Sequence, residues 1–190
     1  PIVVELYAQQ FNWKARYAGK DNVLGKANVR LIDLGDNPNI LGLDREDVYA
    51  QDDIITQVLH LPVDRKVVFK MRSPDVLHSA YMPHFRMQMN CVPGMTTQFH
   101  MVPKTTTKEM REITGNEEFN YLLLCNKICG AAHYNMQMDI IVESEADYAA
   151  WMSEKKPFAE SISPAEQEPA PVVLAEVVGR GENEEATATH

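Results

Sequence analysis

A loop with four soft metal donors constrains this chain more than any other feature. Residues 125–136 read Cys-Asn-Lys-Ile-Cys-Gly-Ala-Ala-His-Tyr-Asn-Met, a C-x3-C-x3-H-x2-M spacing. Thiolate and thioether ligands favour copper among the biological first-row metals, and zinc rarely recruits a methionine. Strand-like apolar runs stand on both sides, at 121–124 and 138–142. We therefore expect a β-rich fold that closes this loop around a metal.

The second cysteine distinguishes this loop from a site for a single copper ion. A mononuclear electron-transfer site needs one cysteine, two histidines and a weak axial methionine. Cys129 follows Cys125 by four residues, so two thiolates can face each other and bridge a pair of metals. Each copper then wants one histidine, and His78 is the obvious second donor. It follows the apolar run 67–71, and we expect it on a loop at a strand end.

These residues resemble one family. Asp-Val-Leu-His-Ser at 75–79, followed by the loop at 125–136, is similar to the dinuclear copper (CuA) domain of subunit II of cytochrome c oxidases. Further segments occur in the family's order, at residues 10–13, 16–17, 59–63 and 92–94. The resemblance spans roughly residues 2–153.

The resemblance implies a complete ligand set for two copper ions. The implied ligands are His78, Cys125, the backbone carbonyl of Lys127, Cys129, His133 and Met136. Both cysteines bridge the ions, His78 and Met136 complete one copper, and His133 and the carbonyl complete the other. Bridging thiolates spread one unpaired electron over both ions, so each metal–ligand bond changes little on reduction and electron transfer is fast.

Two positions depart from the family pattern. Lys127 stands where the family usually has a glutamate that also reaches a non-redox magnesium or manganese ion. An ammonium group cannot ligate a cation, so the resemblance does not extend to that second metal site. Phe11 stands where the family often has a tryptophan above the copper site, while Trp13 keeps the indole. We expect Trp13 and Phe11 to mark where electrons enter.

The resemblance implies the electron-transfer subunit of a haem–copper terminal oxidase. Such a subunit accepts electrons from a c-type cytochrome and passes them to haem in subunit I, where oxygen is reduced to water and protons are pumped. The expected partners are subunit I, other oxidase subunits and a c-type cytochrome, which can also be held in a supercomplex; no nucleic acid is expected. The expected location is a membrane-associated complex, with this domain on the periplasmic face of the inner membrane.

Other protein classes also use two nearby cysteines. A copper chaperone or thiol-redox protein using Cys125 and Cys129 remains the alternative, although it leaves His133 and Met136 without a role. A structural zinc site could use two cysteines and two histidines, but Met136 would then have no role as a ligand. A nitrous oxide reductase domain shares the two-copper site, but that family has Trp-Phe where this chain has Lys127-Ile128.

Period-two patterning predicts a mainly β fold for residues 1–156. Together with the resemblance, it indicates a cupredoxin-like Greek-key β-barrel or sandwich. A short inserted helix at 105–114 and a C-terminal helix at 144–155 complete the prediction. The predicted strands are 2–8, 10–17, 27–34, 54–61, 66–72, 86–91, 97–102, 119–125 and 137–143.

The C-terminal segment differs in composition. Residues 157–190 hold seven Glu and one Arg, and this segment is rich in Pro and Ala. It buries too little apolar surface to offset its ordering entropy, so we expect an acidic tail that is largely disordered or strap-like. No run approaches 18 consecutive apolar residues. Because residues 1–7 already read as a strand, we expect the family's N-terminal membrane segment to be absent from this chain.

Overall fold

Two five-stranded β-sheets face each other across the core. The computed structural model describes residues 1–36 and 38–162. The strands are β1 (Ile2–Gln9), β2 (Asn12–Tyr17), β3 (Ile54–Thr56), β4 (Leu59–Pro62), β5 (Val67–Arg72), β6 (His78–Met82), β7 (Met87–Cys91), β8 (Thr97–Met101), β9 (Tyr121–Cys125) and β10 (Gln137–Glu143). The first sheet has the order β3-β2-β1-β5-β8, and the second has the order β4-β10-β9-β6-β7. All neighbours are antiparallel except β1 with β5 and β4 with β10.

Alternating side chains form the core between the sheets. In β5 every second residue is fully buried, beginning at Val67, and the residues between are half-buried. The strands of the second sheet contribute inward residues such as Leu61, Leu123 and Ile140. Fully burying one such side chain stabilises the fold by roughly 1.5–3 kcal/mol before entropy is counted. The prediction of a mainly β, two-sheet fold is confirmed.

Two strand predictions were wrong in detail. The segment 27–34 is not a strand: its centre, Val29–Leu31, is a 3-10 turn. The side chain of Asn28 accepts a hydrogen bond from the backbone N–H of Arg30, and this local bond competes with strand pairing. The segment 54–61 is two strands, because β3 pairs with β2 in one sheet while β4 pairs with β10 in the other.

The sequence pattern also missed strand β6. His78 is the first residue of this strand and lies beside Cys91 of β7, rather than on a loop. Four of the five residues of β6 are buried. Because both faces of the strand are covered, its sequence, His-Ser-Ala-Tyr-Met, lacks the alternation of polar and apolar residues that reveals a half-exposed strand.

Both predicted helices are confirmed with small changes of boundary. Helix α1 (Thr107–Thr114) begins with a capping box in which Thr106 and Glu109 exchange hydrogen bonds. Helix α2 (Glu145–Ser153) begins at Ser144, whose hydroxyl accepts from the backbone N–H of Asp147. Within the described residues, neither these helices nor any other is long and apolar enough to cross a membrane.

A third helix, α3 (Phe158–Ile162), follows at the start of the predicted tail. Phe158 packs against a small cluster formed by Tyr7, Leu41 and Leu43, and its N–H donates to the carbonyl of Asp53. This cluster covers part of the first sheet's outer face. The rest of the predicted acidic tail lies outside the described residues.

A buried network of charges also lies on this outer face. The guanidinium of Arg16 on β2 lies 2.9 Å from the carboxylate of Glu5 and 3.0 Å from that of Asp53. Arg72 reaches the other oxygen of Glu5 at 2.5 Å. Burial raises the pKa of Asp53 to about 6, although Arg16 and the N–H of Gly25 act to lower it. The long segment between β2 and β3 is therefore anchored by ion pairs as well as by apolar packing.

Replacing Arg16 by methionine should destabilise the domain by about 3–5 kcal/mol at pH 8, because the buried carboxylate of Asp53 loses its cation and that of Glu5 keeps only Arg72. The pKa of Asp53 is raised from 3.8 to about 6, so the folded state holds a proton that the unfolded chain releases between these values. Stability therefore falls as the pH rises through this window. We expect the cost of Arg16→Met to be smaller at pH 5, where Asp53 takes up a proton.

Urea unfolding followed by circular dichroism at pH 5 and pH 8 measures this difference. Arg30→Met removes an exposed arginine and serves as the control, with an expected change within about 0.5 kcal/mol. Equal costs for the two variants would contradict the role given to Arg16.

Candidate metal centre

Strand pairing brings the two predicted metal-binding segments together. Strand β9 ends at Cys125 and pairs with β6, which begins at His78. The Sγ atom of Cys125 lies 3.8 Å from Nδ1 of His78. Residues separated by 47 positions in the sequence therefore lie side by side at one end of the sandwich.

The remaining predicted donors gather around the same point. The two cysteine sulfurs are 3.9 Å apart, and Sγ of Cys129 lies 3.6 Å from Nδ1 of His133. The sulfur of Met136 is 3.8 Å from Sγ of Cys129. The carbonyl oxygen of Lys127 lies 3.3 Å from Sγ of Cys125. The structure thus brings all six predicted donor groups together.

Backbone hydrogen bonds hold the loop in this shape. The N–H of Cys125 donates to the carbonyl of Met136, which closes the loop where β9 and β10 meet. The N–H of Asn126 donates to the carbonyl of Ser79, so the loop is also attached to β6. A 3-10 turn at His133–Asn135 then directs His133 and Met136 toward the cysteines. The donor geometry is therefore built into the backbone.

Asp75 orients the imidazole of His78. Its carboxylate lies 2.9 Å from Nε2 of His78, so a proton on that nitrogen leaves Nδ1 free to face Cys125. The same carboxylate accepts from the N–H groups of Gln10 and Val76 and from the hydroxyl of Ser73. Partial burial acts to raise the pKa of Asp75, but these hydrogen bonds together lower it.

The chemistry of the donor set fits a soft metal ion. Burial and the neighbouring Cys125 raise the pKa of Cys129 to about 11, so without a cation the pocket disfavours the thiolate of Cys129. A bound metal deprotonates coordinating thiols. The ligand atoms of His78, Cys125 and Cys129 lie within 4.8 Å of one another. Two sulfurs, an imidazole and a nearby thioether are the ligands that copper selects.

The two predicted aromatic residues differ in their exposure. Trp13 is only 2% exposed; its Nε1 donates to the carbonyl of Met136, and its ring meets that of His78 edge-on at 6.4 Å. Phe11 is half-buried and lies against Gly130 in the metal loop. Both residues therefore contact the candidate centre, but only Phe11 extends to the surface.

Three supporting residues were not identified from the sequence: Asp75, Gln10 and Ser79. Asp75 and Gln10 lie within the segments that resemble the family, yet a single sequence gives no sign of what they contact. Ser79 acts through its backbone carbonyl, which leaves no trace in the residue type. Their contacts with His78 and with the metal loop become visible only in the folded structure.

Two further histidines and the third cysteine are packed against other side chains of the fold. His60 stacks on Trp151 at 4.2 Å and contacts Glu143. His84 packs edge-on against Phe119 and a neighbouring tyrosine. Cys91 is fully buried, and burial raises the pKa of its thiol to about 12. In the described part of the chain, none of the three joins the group of candidate ligands.

Gly130 offers a test of how tightly the loop is packed. Its φ is +144°, and a Cβ atom there would lie 2.8 Å from the ring of Phe11. We expect Gly130→Ala to reduce copper retention and to lower the unfolding free energy by about 1–3 kcal/mol. Gly94→Ala is the matched control, because Gly94 also has a positive φ but open space around it. Thermal unfolding and copper titration of both variants measure the difference; equal effects would contradict the close packing at Gly130.

Comparison with known proteins agrees with this geometry. Residues 3–145 match the family described as cytochrome c oxidase subunit II, periplasmic domain. The chain is 42% identical over 158 residues to the alternative cytochrome c oxidase subunit 2 of Bradyrhizobium diazoefficiens, a match that covers 82% of this chain and 52% of the relative. It is 27% identical over 111 residues to cytochrome c oxidase subunit 2 of Thermostichus vulcanus, covering 58% and 30% respectively. The chain thus spans about half the length of its Bradyrhizobium relative and less than a third of its Thermostichus relative.

Solved structures confirm the fold. The periplasmic domain of subunit II of cytochrome oxidase from Bradyrhizobium japonicum superposes with a TM-score of 0.53 at 20% identity, covering 80% of this chain and 91% of that one. A mixed disulfide between a thioredoxin-like protein and subunit II of cytochrome c oxidase gives 0.51 at 18% identity, covering 85% and 93%. The cupredoxin-like class predicted from the sequence is therefore confirmed. The chain belongs to the cytochrome c oxidase subunit II family, and the matched region is its periplasmic domain.

Proposed function

We propose that this chain is the electron-carrying subunit of a haem–copper terminal oxidase and holds a dinuclear copper centre. The observation that carries the proposal is the convergence of four side-chain donors from one loop with His78 from a separate strand. When bound, the copper pair supplies a one-electron carrier. This subunit would carry electrons without itself reducing oxygen.

Each donor has a role in this proposal. Cys125 and Cys129 would hold both copper ions, with His78 and Met136 serving one of them and His133 and the carbonyl of Lys127 the other. The backbone bonds that close the loop keep these donors in place in both oxidation states, which supports rapid electron transfer. The ammonium of Lys127 offers no ligand to magnesium or manganese, so we do not assign the family's second cation to this residue.

Phe11 is the better candidate for the place where electrons enter. Its ring is partly exposed and lies against Gly130, directly after the proposed ligand Cys129. Trp13 is buried against His78 and the carbonyl of Met136, so it packs the centre from within. We propose that a donor approaches Phe11, while Trp13 supports the ligands.

The outer surface of the metal loop favours contact with another protein. Ile128 is 86% exposed and Tyr134 is 88% exposed, although each stands next to a proposed ligand. Such apolar side chains beside a redox site support an interface with other oxidase subunits, among them subunit I. We propose a c-type cytochrome as the donor, free or held in a supercomplex. The proposed setting is a membrane complex with this domain on the periplasmic side.

A thiol-redox function is less well supported by the site. Reactive thiols usually have a lowered pKa, whereas burial and Cys125 raise that of Cys129 to about 11. A dithiol carrier also needs neither His133 nor Met136, and both side chains point at Cys129. The convergence of these two additional donors favours the copper function.

Stopped-flow reduction of the copper-loaded protein by a reduced c-type cytochrome tests the proposal. Phe11→Leu keeps the apolar bulk but removes the aromatic ring, so we expect the reduction rate to fall severalfold with the copper absorption unchanged. Phe119→Leu removes a partly buried ring that precedes β9, at the end of this strand away from the loop, where it packs against His84 and Tyr121; this change should leave the rate unaltered. Equal reduction rates for the parent protein and Phe11→Leu would contradict the proposal that electrons enter at Phe11. A parent that accepts no electrons from c-type cytochromes would contradict the proposed function.

A further inference from the structure

Gln10 contacts both segments that form the metal centre. With Phe11 it makes the two-residue turn between β1 and β2. Its backbone N–H donates to the carboxylate of Asp75 at 2.7 Å, and its side-chain Nε2 donates to the carbonyl of Cys129. One residue of a third segment therefore joins the loop before β6 to the loop after β9.

Each of these contacts lies one step from proposed ligands. Asp75 holds Nε2 of His78 at 2.9 Å and thereby directs Nδ1 toward Cys125. Cys129 lies at the centre of its own loop, within 4 Å of the donor atoms of His133 and Met136. A displacement of the Gln10 turn would alter the spacing between these two groups of donors.

The turn also packs directly on the loop. A Cβ atom on Gly130 would lie 2.9 Å from Nε2 of Gln10, and the glycine itself has a φ of +144°. The side chain of Gln10 is exposed to solvent, so its fixed position depends on the hydrogen bond to Cys129 rather than on burial. An exposed side chain held in this way has a positioning role that apolar packing of the core does not explain.

We propose that Gln10 is a positioning residue of the copper site, linking the His78 segment to the Cys129 loop and fixing the distance between them. This inference rests on the proposed function, because the centre it positions is the copper pair. Outer residues that orient metal ligands typically change metal affinity about 10–100-fold when they are replaced. Gln10 should thus govern how firmly copper is retained.

Gln10→Met and Gln10→Glu test the inference, because neither side chain can donate to Cys129 at neutral pH. Their backbone N–H groups still reach Asp75, so Gln10→Met removes only the contact with the Cys129 loop, whereas Gln10→Glu also adds a negative charge beside it. We expect a copper chelator to remove the metal about tenfold faster from both variants. Gln9→Met and Gln9→Glu are matched controls, since the Gln9 side chain bonds to Lys14 in the same hairpin and not to the metal loop.

A second readout uses the metal-free protein. Amide hydrogen exchange in the 3-10 turn at His133–Asn135 should become faster in the Gln10 variants, while exchange in β1 and the thermal unfolding midpoint should match the Gln9 controls. A merely structural role would lower the midpoint and would overturn the inference. Unchanged chelation and exchange would overturn it as well.

The two proposals fail in different ways. If the parent binds no copper pair, the proposed function is wrong. Faster loop exchange in the Gln10 variants would then still establish that Gln10 fixes the loop, but the assignment to a copper site would be overturned. If the parent binds copper and the Gln10 variants retain it as firmly as the controls do, only the inference about Gln10 is wrong.

Discussion

The pairing of β6 with β9 is the constraint on which the candidate metal centre depends. It sets Ala80 opposite Cys125, and this register leaves His78 beside the cysteine sulfur at the end of the sandwich. A slip of one residue would turn every side chain of one strand to the opposite face. The buried core between the sheets opposes such a slip, so the stability of the whole domain maintains the spacing of the donors.

The loop that carries the other donors owes its shape to contacts from three directions. Its own strands close it through the bond from Cys125 to Met136, and β6 holds Asn126 through Ser79. Trp13 and the Gln10 turn hold it from the first sheet. Donors held in this way would change position little between the oxidation states of a bound metal. A rigid set of soft donors with an exposed apolar rim is suited to receiving and releasing single electrons.

Local spacing predicted the four side-chain donors of residues 125–136, because their pattern lies within one short segment, and the family resemblance singled out His78 and added the carbonyl of Lys127. The two helices were also predictable, since Thr106 and Ser144 open them with recognisable caps. The prediction of a strand at 27–34 was wrong, because the side chain of Asn28 accepts a hydrogen bond from the backbone N–H of Arg30 and a 3-10 turn forms instead. His78 was identified but placed on a loop, since a strand buried on both faces shows no alternation. The roles of Asp75 and Gln10 depend on non-local hydrogen bonds, which a single sequence does not encode visibly.

The most direct test of the central claim is an EPR spectrum of the oxidised, copper-loaded protein, recorded together with its copper content. The account predicts two copper ions per chain and a seven-line hyperfine pattern, because one unpaired electron shared equally by two spin-3/2 nuclei gives seven orientations. A single copper with four lines would contradict a dinuclear centre and indicate a mononuclear carrier. An absence of bound copper, together with a Cys125–Cys129 disulfide that can be reduced and formed again, would contradict the copper function and favour thiol-redox chemistry.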